Sequence, residues 1–364
     1  MSTPFLVLYR DRLSLGPSAT VGIFVVYVGG ILSALALVGP LSDRWGRRAI
    51  VLPTTVISAL ASLVLIAGRD SYPLLLAGRL MLGVASGAVL AIGAAWLQEL
   101  MGKGEEMRAA LLATIIGFLG FGIGPVVSAI FEAFDAAPLI APFLFHVALV
   151  VAALIGIWPT RETIIAPNPA PPFRLRFGIP DQARSEFLRI VVPAALWVFA
   201  FPSTAFALFP VLVSDSVPGF EVAVAATSGL ITSWSAMMSR PVLARIAPRK
   251  AMPVAMWVGV AGYLLGTGAF AFGWWPLVLP AAFFLGAASG VLASGSLTLV
   301  GEMADDDQRG SLTGTFYLTA YPAMSMPLII TALGAVMGSI SGALLVVTVV
   351  GSGAAVLVTR SSRT

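Results

Sequence analysis

An all-α integral membrane protein is the fold class this sequence predicts, and three observations carry the prediction. Hydrophobic residues make up 58% of the 364 and charged residues only 10%, too few to cover a water-soluble surface of this size. Mean hydropathy is +0.97. From Gly310 through Thr359 the chain carries no charge at all, enough for two membrane crossings of about 20 residues each. Lipid offers backbone amides and carbonyls no partner, so such runs must be helices unless they close into a barrel. Barrel strands would be shorter and would alternate polar with apolar residues, and these runs do not.

Apolar runs fall at 19–41, 49–68, 73–96, 109–131, 138–158, 188–213, 222–238, 251–272, 276–300, 311–333 and 337–358, which predicts eleven complete transmembrane helices. The first ends in GPLSDRWGRR (39–48), four charges in ten positions. Those charges cannot stay in hydrocarbon, so they mark a tight turn at a membrane face. Gly39 and Gly46 permit close approach and a bend, while Asp43 can cap or pair with a neighbouring helix end. The third run holds Arg79 and the fifth holds His146, the single histidine of the chain. Residues 160–187, rich in proline and charge, read as a linker between the runs before and the six after it. The division is therefore a first helix bundle at 1–159, a linker at 160–187 and a second bundle at 188–364.

The cations orient the chain. If the 42–48 turn is cytoplasmic, Lys103, Arg108, Arg161, Arg174, Arg176, Arg184 and Arg189 follow on the same side, and then Arg240, Arg245, Arg249, Lys250, Arg309, Arg360 and Arg363. The other side keeps Arg10, Arg12 and Arg69. Cytoplasmic loops carry the excess of Lys and Arg, so the C-terminus is expected in the cytoplasm. Eleven helices then put the N-terminus outside. The apolar patch Pro4–Tyr9 is too short to cross. It reads either as the tail of a first helix that the chain lacks or as the start of a genuine eleven-helix protein.

The halves echo each other. Arg47-Arg48-Ala49 is matched by Arg249-Lys250-Ala251, 202 positions later (249 − 47), and QELMGKGEEMRAAL (98–111) by GEMADDDQRGSL (301–312). Matches in the same order favour duplication, and parallel repeats are one of the transporter architectures.

The pattern Gly39-x-x-x-Asp43-Arg44-x-Gly46-Arg47-Arg48 resembles the signature between the second and third helices of the major facilitator superfamily. The resemblance covers essentially the whole chain through the repeat and implies two six-helix bundles. It also implies a conformational gate, in which this turn latches the cytoplasmic side against the eleventh helix and helps set the inward–outward equilibrium. The second-half turn departs from the pattern, with Arg245 and Pro248 where Asp43 and Gly46 would stand. Arg79-x-x-x-Gly83 is similar to a fourth-helix pattern associated with proton transfer in antiporters of the family. The other reading is an arginine that bonds backbone carbonyls or snorkels to the interface. Gly83 and Gly87 suit close helix packing. Gly120-x-x-x-Gly124-Pro125 resembles the fifth-helix motif of drug:proton exporters, although Ser128 and Ala129 replace its later glycines. Pro125 can equally be a plain helix kink.

His146 is a second candidate for proton coupling, or a neutral histidine bonded to a neighbouring helix. Glu132 and Asp135 read as a solvated boundary. The family's acidic proton carrier often lies in the first helix, which this chain does not show. Phe201, Phe206 and Trp234 are candidates to line a central substrate cavity; aromatics at such spacings also pack helices or face lipid. The sequence contains no cysteine, hence no disulfide framework or thiolate metal site, and one His leaves no metal cluster to expect. No phosphate-binding Gly-x-x-x-x-Gly-Lys-Ser/Thr loop occurs, which excludes ATP drive within the chain. An intramembrane enzyme would need a catalytic pair that these residues do not supply.

The expected protein is a secondary transporter working by alternating access, without cofactor and without nucleic acid. It would be a monomer in the bilayer of a bacterial plasma (inner) membrane. Its expected cargo is a small lipophilic or drug-like molecule expelled against protons, with an uptake symporter for a small metabolite, or an inactive transporter, as alternatives.

Overall fold

The structure, a computed structural model, describes residues 3–102, 105–134, 137–164, 178–303 and 309–362. The surroundings of Gly39 and the side chains of Asp43 and Arg309 lie outside the described set, as do Lys103, Asp135, Arg174, Arg176 and Arg363. The Asp43 latch is therefore not among the described contacts.

Among the described residues every regular element is a helix. The first half runs α1 (Leu6–Leu13), α2 (Pro17–Trp45), α3 (Arg47–Ala67), α4 (Tyr72–Met101), α5 (Glu106–Ala133) and α6 (Ala141–Ile157). The second runs α7 (Asp181–Glu186), α8 (Val192–Ser203), α9 (Phe209–Val213), α10 (Glu221–Ser239), α11 (Pro248–Ala271), α12 (Val278–Met303), α13 (Arg309–Ala320), α14 (Met326–Met337) and α15 (Ile340–Ser361). Nine stretches among the described residues are long and apolar enough to cross a membrane, and Gly122–Ala133 and Ala141–Ile157 are shorter apolar helices. All eleven apolar runs of the sequence are thus helical. Their outer faces carry large exposed aliphatic side chains, such as Ile155, Val254 and Val349, as a lipid-facing surface requires.

Two interruptions break the helices for opposite reasons. Gly46, at φ +97°, lets the chain leave α2 and enter α3 without a loop, a backbone state that only glycine adopts without strain. In the span Asp181–Ser216 the chain stays helical but passes through π-helical turns at Phe187–Val191 and Thr204–Leu208. Pro202 lacks an N–H, which frees the Val198 carbonyl one turn earlier; Ser289 of α12 fills the gap, donating its Oγ hydrogen at 2.7 Å. Ser228 of α10 likewise donates to the Ala205 carbonyl at 2.7 Å inside the second π turn. In lipid such carbonyls must be satisfied by protein.

Close helix crossings use small residues in both halves. A Cβ on Gly83 would overlap the Tyr27 carbonyl, and one on Gly87 would press on Ile31, so α4 lies directly against α2. In the second half Gly286 and Gly290 of α12 meet Thr232 and Ala236 of α10 in the same way. The spacing from Gly83 to Gly286 is 203 positions (286 − 83), one off the offset of the basic turns.

The apolar interior has two centres that matter for function. One fills the second half around Trp197, Phe201, Tyr263 and Leu285. The other is a seam between the halves: Phe5, Tyr9, Ile23 and Phe24 pack with Ala207, Val211, Val222 and Tyr321. Helix α5 also packs along α10, and α2 along α13 and α14.

Candidate functional site

The arginine-rich turn is built around a carboxylate that comes from far along the chain. Glu162, five residues past the end of α6, accepts hydrogen bonds from the backbone N–H groups of Arg47 (2.8 Å) and Arg48 (2.9 Å), the first two residues of α3. Thr163 and Ile164 N–H groups donate to the same carboxylate. A negative charge at a helix N-terminus answers both the orphan N–H groups and the helix dipole. Burial alone would push the Glu162 carboxyl up, but the four backbone donors outweigh it and hold the carboxyl below its usual range. Gly46 is required here twice, because a Cβ on it would overlap this carboxylate.

Arg47 spans the same cluster. Its guanidinium donates to Ser42 Oγ at 2.6 Å and pairs with Glu99 of α4 at 3.1 Å, while Thr163 Oγ1 donates to the other Glu99 oxygen. Arg48 reaches the Trp158 carbonyl at 2.7 Å and lies over the Trp158 ring. The turn therefore ties α2, α3, α4 and the end of α6 together. Sequence reasoning found the arginines but missed Glu99 and Glu162. Their signal was a lone acid just after an apolar run, which looks like any solvated helix end.

Arg79 lies inside the bundle, 3% exposed, about 10 Å from the start of α4 at 1.5 Å rise per residue. Its Nε donates to the Ile23 carbonyl at 3.0 Å, and its guanidinium sits 4.9 Å from the Tyr27 ring centre and 5.9 Å from that of Phe24. Phe24 in turn meets Phe206 of the second half edge-on at 5.6 Å. Tyr9, 1% exposed with no hydrogen-bond partner for its hydroxyl, is within electrostatic reach of Arg79.

The other sequence candidates are distributed differently. Pro125 packs against the place of Gly229 on α10, where a Cβ would meet its ring at 3.4 Å and Phe206 at 3.9 Å, so Pro125 faces the second half. Gly124 gives its carbonyl to Ser128 Oγ at 3.2 Å. Gly120 has open space around it. His146 Nδ1 lies 2.8 Å from Ser62 Oγ, tying α6 to α3 away from the seam. Phe201 is fully buried in the second half's own core between Trp197 and Tyr263, over Gly259. Trp234 is 56% exposed. Of the three aromatic candidates, Phe206 alone stands at the seam.

At the opposite, charge-poor face, Arg10 of α1 pairs with Asp215 at 2.9 Å and donates to Ser214 Oγ at 2.6 Å. Both partners lie just past α9, so this contact joins the two halves. Arg12 pairs with Asp70 at 2.6 Å within the first half. Two surface grooves are open, one of about 460 Å3 by Val217, Phe220 and Trp275 and one of about 410 Å3 by Arg48, Leu52 and Glu162. Neither reaches Arg79 or Phe206. Among the described residues no cluster of three His, Asp or Glu side chains could hold a metal ion.

A polytopic bundle of membrane-spanning helices, two halves meeting at an apolar seam and charged ties at both faces define a membrane carrier. Residues 1–327 match the sequence profile of the Major Facilitator Superfamily, and the chain belongs to that family: it is a multi-pass transporter and not an enzyme. An uncharacterized MFS-type transporter of Bacillus subtilis, YfiU, is 28% identical over 120 residues, 33% of this chain and 23% of that protein's length. A protein of Deinococcus radiodurans named as a candidate sugar efflux transporter is 26% identical over 278 residues, 73% of this chain and 68% of that protein. Among solved structures, a D-xylose-proton symporter aligns over 98% of this chain and 92% of its own at TM-score 0.72 and 14% identity. A POT family transporter in complex with 5-aminolevulinic acid aligns over 98% and 90% at TM-score 0.79 and 11% identity. These two similarities show the fold.

Proposed function

We propose that the chain exports a small lipophilic molecule in exchange for protons, by alternating access in a bacterial plasma membrane. The arginine-rich face, and with it the C-terminus, lies in the cytoplasm, in keeping with the cation asymmetry. The observation that carries the reading is the seating of Pro125 against Gly229 of α10, beside Phe206's own contact with that glycine. Pro125, which closes the exporter-like motif, lies where the halves meet, and a helix distorted at proline is suited to bend as they rock. The efflux direction also agrees with the name of the Deinococcus radiodurans relative. In the resulting cycle Arg47, Glu99 and Glu162 hold the cytoplasmic ends of the first half as one body. The halves part at the seam of Phe24, Phe206 and Tyr321. Arg79 stays charged at any physiological pH, so its part in coupling is the field it places in the seam, not a proton it releases.

The test is accumulation of lipophilic fluorescent dyes, cationic, neutral and anionic, by inside-out membrane vesicles energised by respiration. At least one dye should accumulate in vesicles that contain the protein, and a protonophore should abolish the accumulation. If no dye moves in response to the proton gradient, proton-coupled export is wrong.

A further inference from the structure

The charge inventory of the spans suggests which lipophilic molecule the carrier accepts. The acidic residues of the sequence are Asp11, Asp43, Asp70, Glu99, Glu105, Glu106, Glu132, Asp135, Glu162, Asp181, Glu186, Asp215, Glu221, Glu302 and Asp305 to Asp307. Those that the structure describes stand in turns or near helix ends. Among the described residues Arg79 is the charged side chain that lies buried within a span. A cationic cargo at the depth of Arg79 would meet positive charge and, among the described residues, no buried carboxylate, where charges are weakly screened.

The groups around Arg79 add a second, independent observation. The Tyr9 hydroxyl, in the same packed cluster as Phe24 and within electrostatic reach of Arg79, is buried and has no hydrogen-bond partner. A buried hydroxyl with an unused donor is costly in an apolar setting. A carboxylate oxygen could accept from it while the second oxygen accepts from the guanidinium, whose fork of donors suits that geometry. The ring faces of Phe24 and Tyr27 lie within 6 Å of the same guanidinium and offer a flat apolar surface for an aromatic body. Phe24 is also the first-half partner of Phe206 across the seam, so parting of the halves would uncover this face of α2.

We infer that Arg79 and Tyr9, with the rings of Phe24 and Tyr27, form the charge-recognising part of the substrate site, and that the cargo is an amphiphilic aromatic carboxylate. The inference rests on the reading of the chain as a carrier and narrows its substrate class.

Equilibrium binding to the detergent-purified full chain tests it, with radiolabelled 2-naphthoate against its neutral isostere 2-naphthamide and against the lipophilic cation tetraphenylphosphonium. Naphthoate should bind at least about tenfold more tightly than the amide, the scale of one charge-assisted hydrogen bond. Arg79→Gln should erase that preference, Arg79→Lys should keep most of it, and Tyr9→Phe should weaken naphthoate binding several-fold with the amide unchanged. If Arg79→Gln does not fold, the wild-type acid-to-amide ratio and the Tyr9→Phe variant decide. Equal binding of acid and amide, preference for the cation, or no naphthoate binding overturns the site. Arg79-dependent naphthoate binding without proton-driven movement would keep the site and refute proton-coupled export. Proton-driven expulsion of tetraphenylphosphonium without naphthoate binding would do the reverse.

Discussion

At the scale of single residues, Glu162 shows how one carboxylate can organise a membrane face. It caps α3 from the far side of three intervening helices, so its loss should loosen the first half. Glu162→Gln keeps the shape but removes the charge. It is expected to lower stability by about 0.5–1 kcal/mol, the lower part of the range for lost caps because the group is solvent-exposed. The pH dependence has a definite sign. The folded carboxyl titrates below its unfolded value, so its contribution is complete above the ordinary glutamate value of about 4.3. It fades as pH falls through the lower folded value. Thermal melting in detergent between pH 6 and pH 3 should show wild type losing its advantage over Glu162→Gln at the acid end. An advantage that persists undiminished at the acid end would contradict the cap. The arginines of this cluster were legible in GPLSDRWGRR because charge is rare in this chain. Glu162 was not, because what it caps lies 115 positions earlier, and only the folded chain brings the two together.

At the scale of elements, the helices themselves were plain in the sequence, since each apolar run had to be helical in lipid. How a run departs from regularity was not. The span Asp181–Ser216 reads as one oily stretch, yet it holds two π turns, and its stability depends on hydroxyls from α10 and α12. Ser289→Ala would leave the Val198 carbonyl without its donor and should cost about 1–3 kcal/mol. Pro202→Ala restores an N–H that can bond Val198 within the helix, so the same serine change should be much less damaging in that background. Melting temperatures of the two single variants and the double variant form the cycle. Simple additivity would mean that Ser289 does not stand in for the N–H Pro202 lacks. The glycines were better signposts: Gly83 and Gly87 suited close packing from spacing alone, and the crossing of α4 on α2 has that form. Phe201, by contrast, had the same sequence character as Phe206. Which of them faces the seam depends on helix rotation within the second half, information that an all-apolar stretch does not encode.

At the scale of the whole molecule, the two halves are closed over each other on the charge-poor face by Arg10, Asp215 and Ser214 above the seam of Tyr9, Phe24 and Val211. No local pattern links residue 10 to residue 215, so this closure could not be read from the chain. An ion pair at the rim of an apolar seam adds little to total stability, since exposed pairs are worth about 0–1 kcal/mol. It can still shift an equilibrium between two states separated by a similarly small energy. Asp215→Asn should therefore favour the state open on this face without unfolding the protein. The absence of cysteine makes the measurement clean. With Ala207→Cys placed in the buried seam as the single thiol, labelling by a membrane-impermeant maleimide reports how often the face opens. Asp215→Asn and Arg10→Ala should each raise the labelling rate up to about fivefold, the factor carried by 1 kcal/mol, and the charge exchange Arg10→Asp with Asp215→Arg should bring it back. Rates that stay at the wild-type level in both single variants would mean that the apolar seam alone holds the face shut, with the arginine only decorating its edge.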